Sequence, residues 1–146
     1  MGNDVSSERN VDVVTEEIRR HIASDPFADK LGIELEELRP GYSRVSMTLA
    51  PDMVNFHGIT HGAAIFALVD AAFAAAGNSH GQVAVALDMS ISFVAATRPG
   101  QRLVAEAHEE YLGRRTALYH MTVRDEAGQL IASSHGTVYR KRETLV

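Results

Sequence analysis

The chain has 146 residues, the length of one domain or one subunit, with 45% hydrophobic and 23% charged residues. That balance excludes the disordered, collagen-like and low-complexity classes. It has no cysteine, which excludes disulfide scaffolds, thiolate metal sites and a cysteine nucleophile, and its formal net charge of −5 offers no general field for a polyanion.

The first ten residues, MGNDVSSERN, are polar and lack the apolar core of a signal peptide. A cytoplasmic protein with no nucleic-acid and no membrane partner is the expectation. Residues 11–24 place Val14, Ile18 and Ile22 at helical spacing, which predicts a short helix. Residues 1–25 are read as a tail and helix extension, and 26–146 as a single domain. Asp25-Pro26 is an N-cap followed by proline at the first helical position, and Gly32 stops that second short turn. Ile33–Leu38 and the stretch alternating Val45, Met47 and Leu49 read as a hairpin about the Arg39-Pro40-Gly41 turn.

Residues 51–61, PDMVNFHGITH, form an irregular loop. The segment after it, GAAIFALVDAAFAAAGNS, is rich in alanine and apolar all the way round, which predicts a helix buried on every side and ended at Gly77-Asn78. Beyond it the period is two. Val83, Val85, Leu87, Met89, Ile91 and Phe93 are expected on one face of a long strand. Strands through Leu103–Tyr111, Ala117–Val123 and Leu130–Arg140 follow, turned at Pro99-Gly100, Gly113-Arg114-Arg115 and Ala127-Gly128. Two strands, a helix and four strands predict an α+β fold, with an antiparallel sheet of about six strands wrapped round one long buried helix.

The chemistry concentrates between Asn55 and Asp70. His61-Gly62 opens the apolar helix, and the first backbone amides, at Gly62 and Ala63, sit at the positive end of its dipole. They are candidate oxyanion donors for a polarised carbonyl. Asp70 is the only ionisable residue of the helix. It is either a structural carboxylate held by an amide or an arginine, or a base or nucleophile facing a cleft. Eight residues separate Gly62 from Asp70, about 12 Å along a helix, whereas reacting atoms must approach to about 3–3.5 Å. One helix does not serve both ends of one substrate. Two antiparallel copies do, so a homodimer with two equal sites is expected.

His57 and His61 have His-x3-His spacing, but Gly58 and the loop argue against a shared helical face, and no metal site is expected. His21, His80, His108, His120 and His135 show no pattern along the chain. No Gly-x-Ser-x-Gly elbow and no phosphate-binding glycine motif is present.

The stretch Asn55–Gly81, NFHGITHGAAIFALVDAAFAAAGNSHG, resembles the signature of hot-dog-fold acyl-CoA thioesterases of the phenylacetic-acid-degradation (PaaI-type) branch. The later segments VALDMSISFVAATRPGQRLVAEA and LGRRTALYHMTVRDEAGQLIASSHGTVYR agree with it, so the resemblance runs over residues 30–141. Ala63 departs from it where the family often has a second glycine. The resemblance implies a hot-dog fold and hydrolysis of an acyl-CoA thioester, with no cofactor beyond the CoA of the substrate. It implies that the Gly62 amide polarises the carbonyl, that Asp70 activates water or attacks, that Asn55 holds the water or the thioester, and that His61 orders the helix start. Arg114 and Arg115 fall where relatives place groups near the CoA phosphates, and a homotetramer built from two dimers is implied as well. Phe66, Phe73 and Phe93 are either lining for an aromatic or medium-length acyl group or simply core. A non-catalytic acyl-thioester binder and a hot-dog dehydratase or hydratase are the competing functions. The first does not need a buried carboxylate, and the second pairs it with a helix histidine that this helix lacks.

Overall fold

The structure, a computed structural model, describes residues 14–146. Two short helices lead in. α1 (Glu16–Ala23) begins after Thr15, whose hydroxyl accepts from the Ile18 amide at 3.2 Å. The expected helix over 11–24 is therefore shorter at its start: Thr15 is an N-cap, and residues 11–13 lie outside the described part. α2 (Pro26–Lys30) is capped by Asp25, whose Oδ1 accepts from the Phe27 and Ala28 amides at 3.0 and 3.1 Å.

The hairpin of β1 (Glu34–Arg39) and β2 (Tyr42–Thr48) follows, then α3 (Gly62–Asn78), then β3 (Gln82–Phe93), β4 (Arg102–Leu112), β5 (Thr116–Arg124) and β6 (Leu130–Thr144). All pairings are antiparallel, in the order β1-β2-β4-β5-β6-β3. The inner face of this sheet closes on α3. Leu68, Val69, Ala72, Phe73 and Ala76 of the helix are buried against Met47, Leu103, Ala105, Ala107, Met121 and Val123 of the strands. Small residues on both sides let helix and sheet approach closely. A Cβ at Gly136 would lie 2.7 Å from Phe73 Cζ, so glycine there is demanded by the ring that packs over it.

Two expectations change. The helix is not buried on every side in the single chain: Ala63, Phe66, Asp70 and Ala74, at spacings of three and four, form an exposed stripe. β3 does not keep one apolar face either. The register slips between Ala86 and Asp88, so that Leu87 is an extra residue opposite β6. Such a bulge reverses the side-chain phase. Met89 and Ile91 pack on the core, while Val85 and Leu87 are exposed.

The C-terminal end of α3 is closed by a satisfied polar cluster. Ser79 Oγ donates to the Ala76 carbonyl at 2.6 Å and accepts from the Gly41 amide at 2.8 Å. Asn78 bridges to both backbone groups of Ala84. His80 Nε2 and the Tyr119 hydroxyl each donate to Glu109 Oε2 at 2.6 Å. Burial pushes the Glu109 carboxyl up, but the bonds from His80 and Tyr119 outweigh it, and the net displacement is downward. Burial, and then the hydrogen bond to Glu109 and its charge, push the Tyr119 hydroxyl well up.

Candidate active site

The loop before α3 is folded back on itself. Val54 and Thr60 form an isolated antiparallel bridge, the Asn55 amide donates to the Ile59 carbonyl at 2.8 Å, and the His61 amide donates to the Met53 carbonyl at 2.8 Å. Asn55 Oδ1 accepts from the His57 amide at 2.9 Å, an Asx turn that leaves the Asn55 side-chain NH2 for another acceptor. His57 is exposed and lies against the exposed ring of Phe56, the two planes tilted by 45°.

His61 is the N-cap of α3. Its Nδ1 accepts from the Ala63 amide at 3.0 Å. The Ala63 amide, expected to be an oxyanion donor, is therefore already engaged. The Gly62 amide has no acceptor among the described residues. One free donor at the positive end of a 17-residue helix remains. The ring of Phe93 lies directly over it: a Cβ on Gly62 would meet Phe93 Cζ at 3.2 Å. Glycine keeps that approach open.

A cleft of about 340 Å³ opens at this point. Asn55, Ile59, Thr60, Gly62, Ile65, Phe93 and the run Val94–Thr97 line it. It is apolar apart from Asn55, the Gly62 backbone and two threonines. The Thr60 and Thr97 hydroxyls are buried and have no hydrogen-bond partner among the described residues. Unmet buried hydroxyls cost about 1–3 kcal/mol each, so the wall of the cleft carries two polar groups that cost the fold stability. The sequence did not single these threonines out. Thr60 lay within the motif and was legible in principle, whereas Thr97 reaches the cleft only because β3 ends beside the start of α3.

Asp70 stands on the exposed stripe of α3, two turns beyond Gly62, and no side chain donates to it among the described residues. The structural reading, a carboxylate held by an amide or an arginine, finds no support here. Partial desolvation against the helix, and then the negative charge of Asp25, raise its carboxyl above the ordinary range. Asp70 does not line the Gly62 cleft of its own chain. Phe66 shares its open stripe at 37% exposure, while Phe73 is core, its ring 5.8 Å from that of Tyr119 in an edge contact. Phe73 therefore takes the second of its two sequence readings.

Arg114 and Arg115 sit in the turn between β4 and β5. Arg115 Nη1 donates to the Arg140 carbonyl at 3.0 Å, and Arg140 pairs with Ala84 at the start of β3, near the C-terminal end of α3. Within one chain this pair lies at the opposite end of α3 from the cleft. Asn55, His61, Gly62 and Phe93 are thus brought together, and Asp70, Phe66 and the arginine pair are not.

Residues 57–132 match the thioesterase superfamily. The acyl-coenzyme A thioesterase PaaI of Escherichia coli is 33% identical over 117 residues, 80% of this chain and 84% of that protein. The solved structure of E. coli PaaI, from the phenylacetic acid degradation operon, superposes with a TM-score of 0.84 at 30% identity over 90% of this chain and 98% of that one. The TT0310 protein of Thermus thermophilus is 41% identical, with a TM-score of 0.77 over 80% of this chain and 98% of that one. A Streptococcus mutans protein solved with acetyl CoA bound is 25% identical, with a TM-score of 0.72 over 75% of this chain and 88% of that one. The sheet wrapped on a single long helix is the hot-dog fold.

Proposed function

The chain belongs to the thioesterase superfamily, and from that premise we propose that it hydrolyses acyl-CoA thioesters at sites shared between two copies of itself. The observation that carries this reading is the pairing of one free helix-terminal amide, at Gly62, with one unpartnered carboxylate, Asp70, on a stripe left open in the single chain.

The stripe and the sheet edge argue for the second copy together. A helix this apolar does not leave a face with Phe66 in water without a partner. β3 is an edge strand of twelve residues with Val85, Leu87 and Phe93 exposed. The opposite edge, β1, is six residues long and carries Glu34, Glu36, Glu37 and Arg39, the usual protection against strand addition. Two-fold pairing along β3 continues the sheet and sets the two α3 helices antiparallel. Gly62 of each chain then faces Asp70 of its partner, and the Arg114-Arg115 end of one chain comes beside the Gly62 end of the other, where it meets the CoA phosphates. A homotetramer made from two such dimers is the larger assembly of this reading.

The thioester carbonyl oxygen accepts from the Gly62 amide. A water held by Asn55 loses a proton to the Asp70 carboxylate and attacks the carbonyl carbon. The intermediate collapses with cleavage of the C–S bond, the thiolate takes up a proton, and the products are free acid and CoA. The Asp70 pKa, raised by desolvation, makes it a stronger base than an exposed aspartate. The apolar lining of Ile59, Ile65 and Phe93 suits an aromatic or medium-length acyl group such as phenylacetyl.

Incubation with phenylacetyl-CoA, benzoyl-CoA and a series of linear acyl-CoAs, following free thiol, tests the reading. Catalytic thiol release is expected, fastest with an aromatic or medium chain. Binding of these esters without release would leave an acyl-thioester binder instead. Single turnover in 18O-labelled water separates the two roles of Asp70. Label in the Asp70 carboxylate marks it as a nucleophile, and trapping of an acyl-enzyme with hydroxylamine tests the nucleophilic route where the label appears in the product acid.

A further inference from the structure

A row of histidines crosses the outer face of the sheet, the side away from α3. In the strand register His108 of β4 faces His120 of β5, and His120 faces His135 of β6. The imidazoles of His120 and His135 stack, with centroids 4.5 Å apart and planes 13° from parallel. Glu110 stands at the bulge between Glu109 and Tyr111, which turns its carboxylate onto this face, 3.8 Å from His135 Nε2. One ligand atom from each of Glu110, His120 and His135 lies within 4.8 Å of the other two. Ser133 Oγ, 3.1 Å from His120 Nε2, steadies that ring. His108 ends the row against Tyr42 and Glu106 and stands outside the cluster.

We propose that Glu110, His120 and His135 form a binding site for a borderline divalent transition ion of the zinc class, separate from the hydrolytic site. The donor set is two imidazoles and one carboxylate, which suits zinc and disfavours magnesium and calcium, whose ligands are oxygen. Zinc bonds of about 2.0–2.1 Å in a tetrahedron put donor atoms roughly 3.3 Å apart. Glu110 and His135 are exposed and His120 half-buried, so side-chain rotation closes the remaining gap, and water completes the shell. The ion ties β4, β5 and β6 together at the middle of the sheet. The site is independent of α3, of Gly62 and of Asp70, so it stands whether or not the proposed hydrolysis does.

Calorimetric titration of the untagged, chelator-stripped protein with zinc chloride tests it. One zinc per chain is expected, with no heat from magnesium. His120→Gln, His135→Gln and Glu110→Gln should each bind at least about tenfold more weakly, because even the loss of an outer partner of a ligand costs 10–100-fold. His57→Gln should bind as the parent does. Zinc should also raise the melting temperature of the parent and not of the three ligand variants. All three lie on the outer face and should keep the parent's circular dichroism, so weakened binding reports on ligation. A stoichiometry below one per chain, equal binding by the three variants, or equal competition by magnesium overturns the site.

Discussion

The two ends of α3 use the same kinds of side chain to opposite effect. At the C-terminal end Ser79, Asn78, His80, Glu109 and Tyr119 satisfy one another and the backbone, and the end is closed. At the N-terminal end the Gly62 amide and the Thr60 and Thr97 hydroxyls are left without partners around an open cleft. Buried polar groups that are paired rigidify a fold, and those left unpaired cost it stability. The difference teaches where each end's free energy goes. The closed end holds the helix to the sheet, and the open end leaves the Gly62 amide without a partner.

That contrast is breakable by variants that should separate activity from stability. Asp70→Asn has the largest expected effect, a fall in kcat of about 10²–10⁴-fold from loss of the base. Its stability should not fall. A carboxyl raised above its unfolded pKa destabilises the folded state as pH rises through that window, so the amide removes a cost at neutral pH. Thiol-release kinetics and thermal melts on one preparation check both halves, and near-parental kcat would return Asp70 to a structural role. The same raised pKa places the acid limb of kcat/KM above the ordinary aspartate value of about 3.9, a shift that a pH profile reads directly.

Gly62→Val should come next, at about 10²–10³-fold in kcat, the usual loss for one oxyanion donor. The branched side chain meets Phe93 and crowds the space in front of the amide. A folded variant as fast as the parent would move the carbonyl away from this helix end.

Tyr119→Phe probes the closed end. It removes a donor to a charged, part-buried carboxylate and should cost about 1.5–3 kcal/mol of stability, with kcat of the folded enzyme unchanged. Acid titration sharpens this. Glu109 has a folded pKa below its ordinary 4.5, so its stabilisation is complete above that pH and is lost as pH falls through the lower, folded value. Melting temperature against pH should drop more steeply below pH 4.5 in the parent than in Glu109→Gln. His61→Ala is the smallest expected change, about 1 kcal/mol for a lost N-cap. It frees the Ala63 amide, and denaturant melts with kinetics in parallel would show whether that second amide can replace or help the first.

Much of this was legible in the chain. Period-two alternation named six strands, and Asp25-Pro26, Arg39-Pro40-Gly41 and Gly113-Arg114-Arg115 named a cap and two turns, because these signals are local. The Asn55–Gly62 stretch pointed to the candidate cleft for the same reason: the residues are close in sequence, and the helix dipole needs no partner to be predicted. The same signals misled where tertiary packing overrode them. Helix apolarity could not tell full burial from one stripe left open in the single chain, and alternation along β3 could not foresee the bulge at Leu87 that flips its phase.

Sequence alone therefore determined the class of fold, the position of the long helix and the residues at its mouth, since each depends on neighbours within about four positions. Which of the two N-terminal amides stays free is also local, since the His61 side chain takes the Ala63 amide two residues on, but only the structure shows that rotamer. Tertiary structure decided that Phe73 is core while Phe93 guards the cleft. The histidine row is the clearest case. Residues 108, 120 and 135 are far apart along the chain and share no spacing rule, and strand register alone sets them side by side.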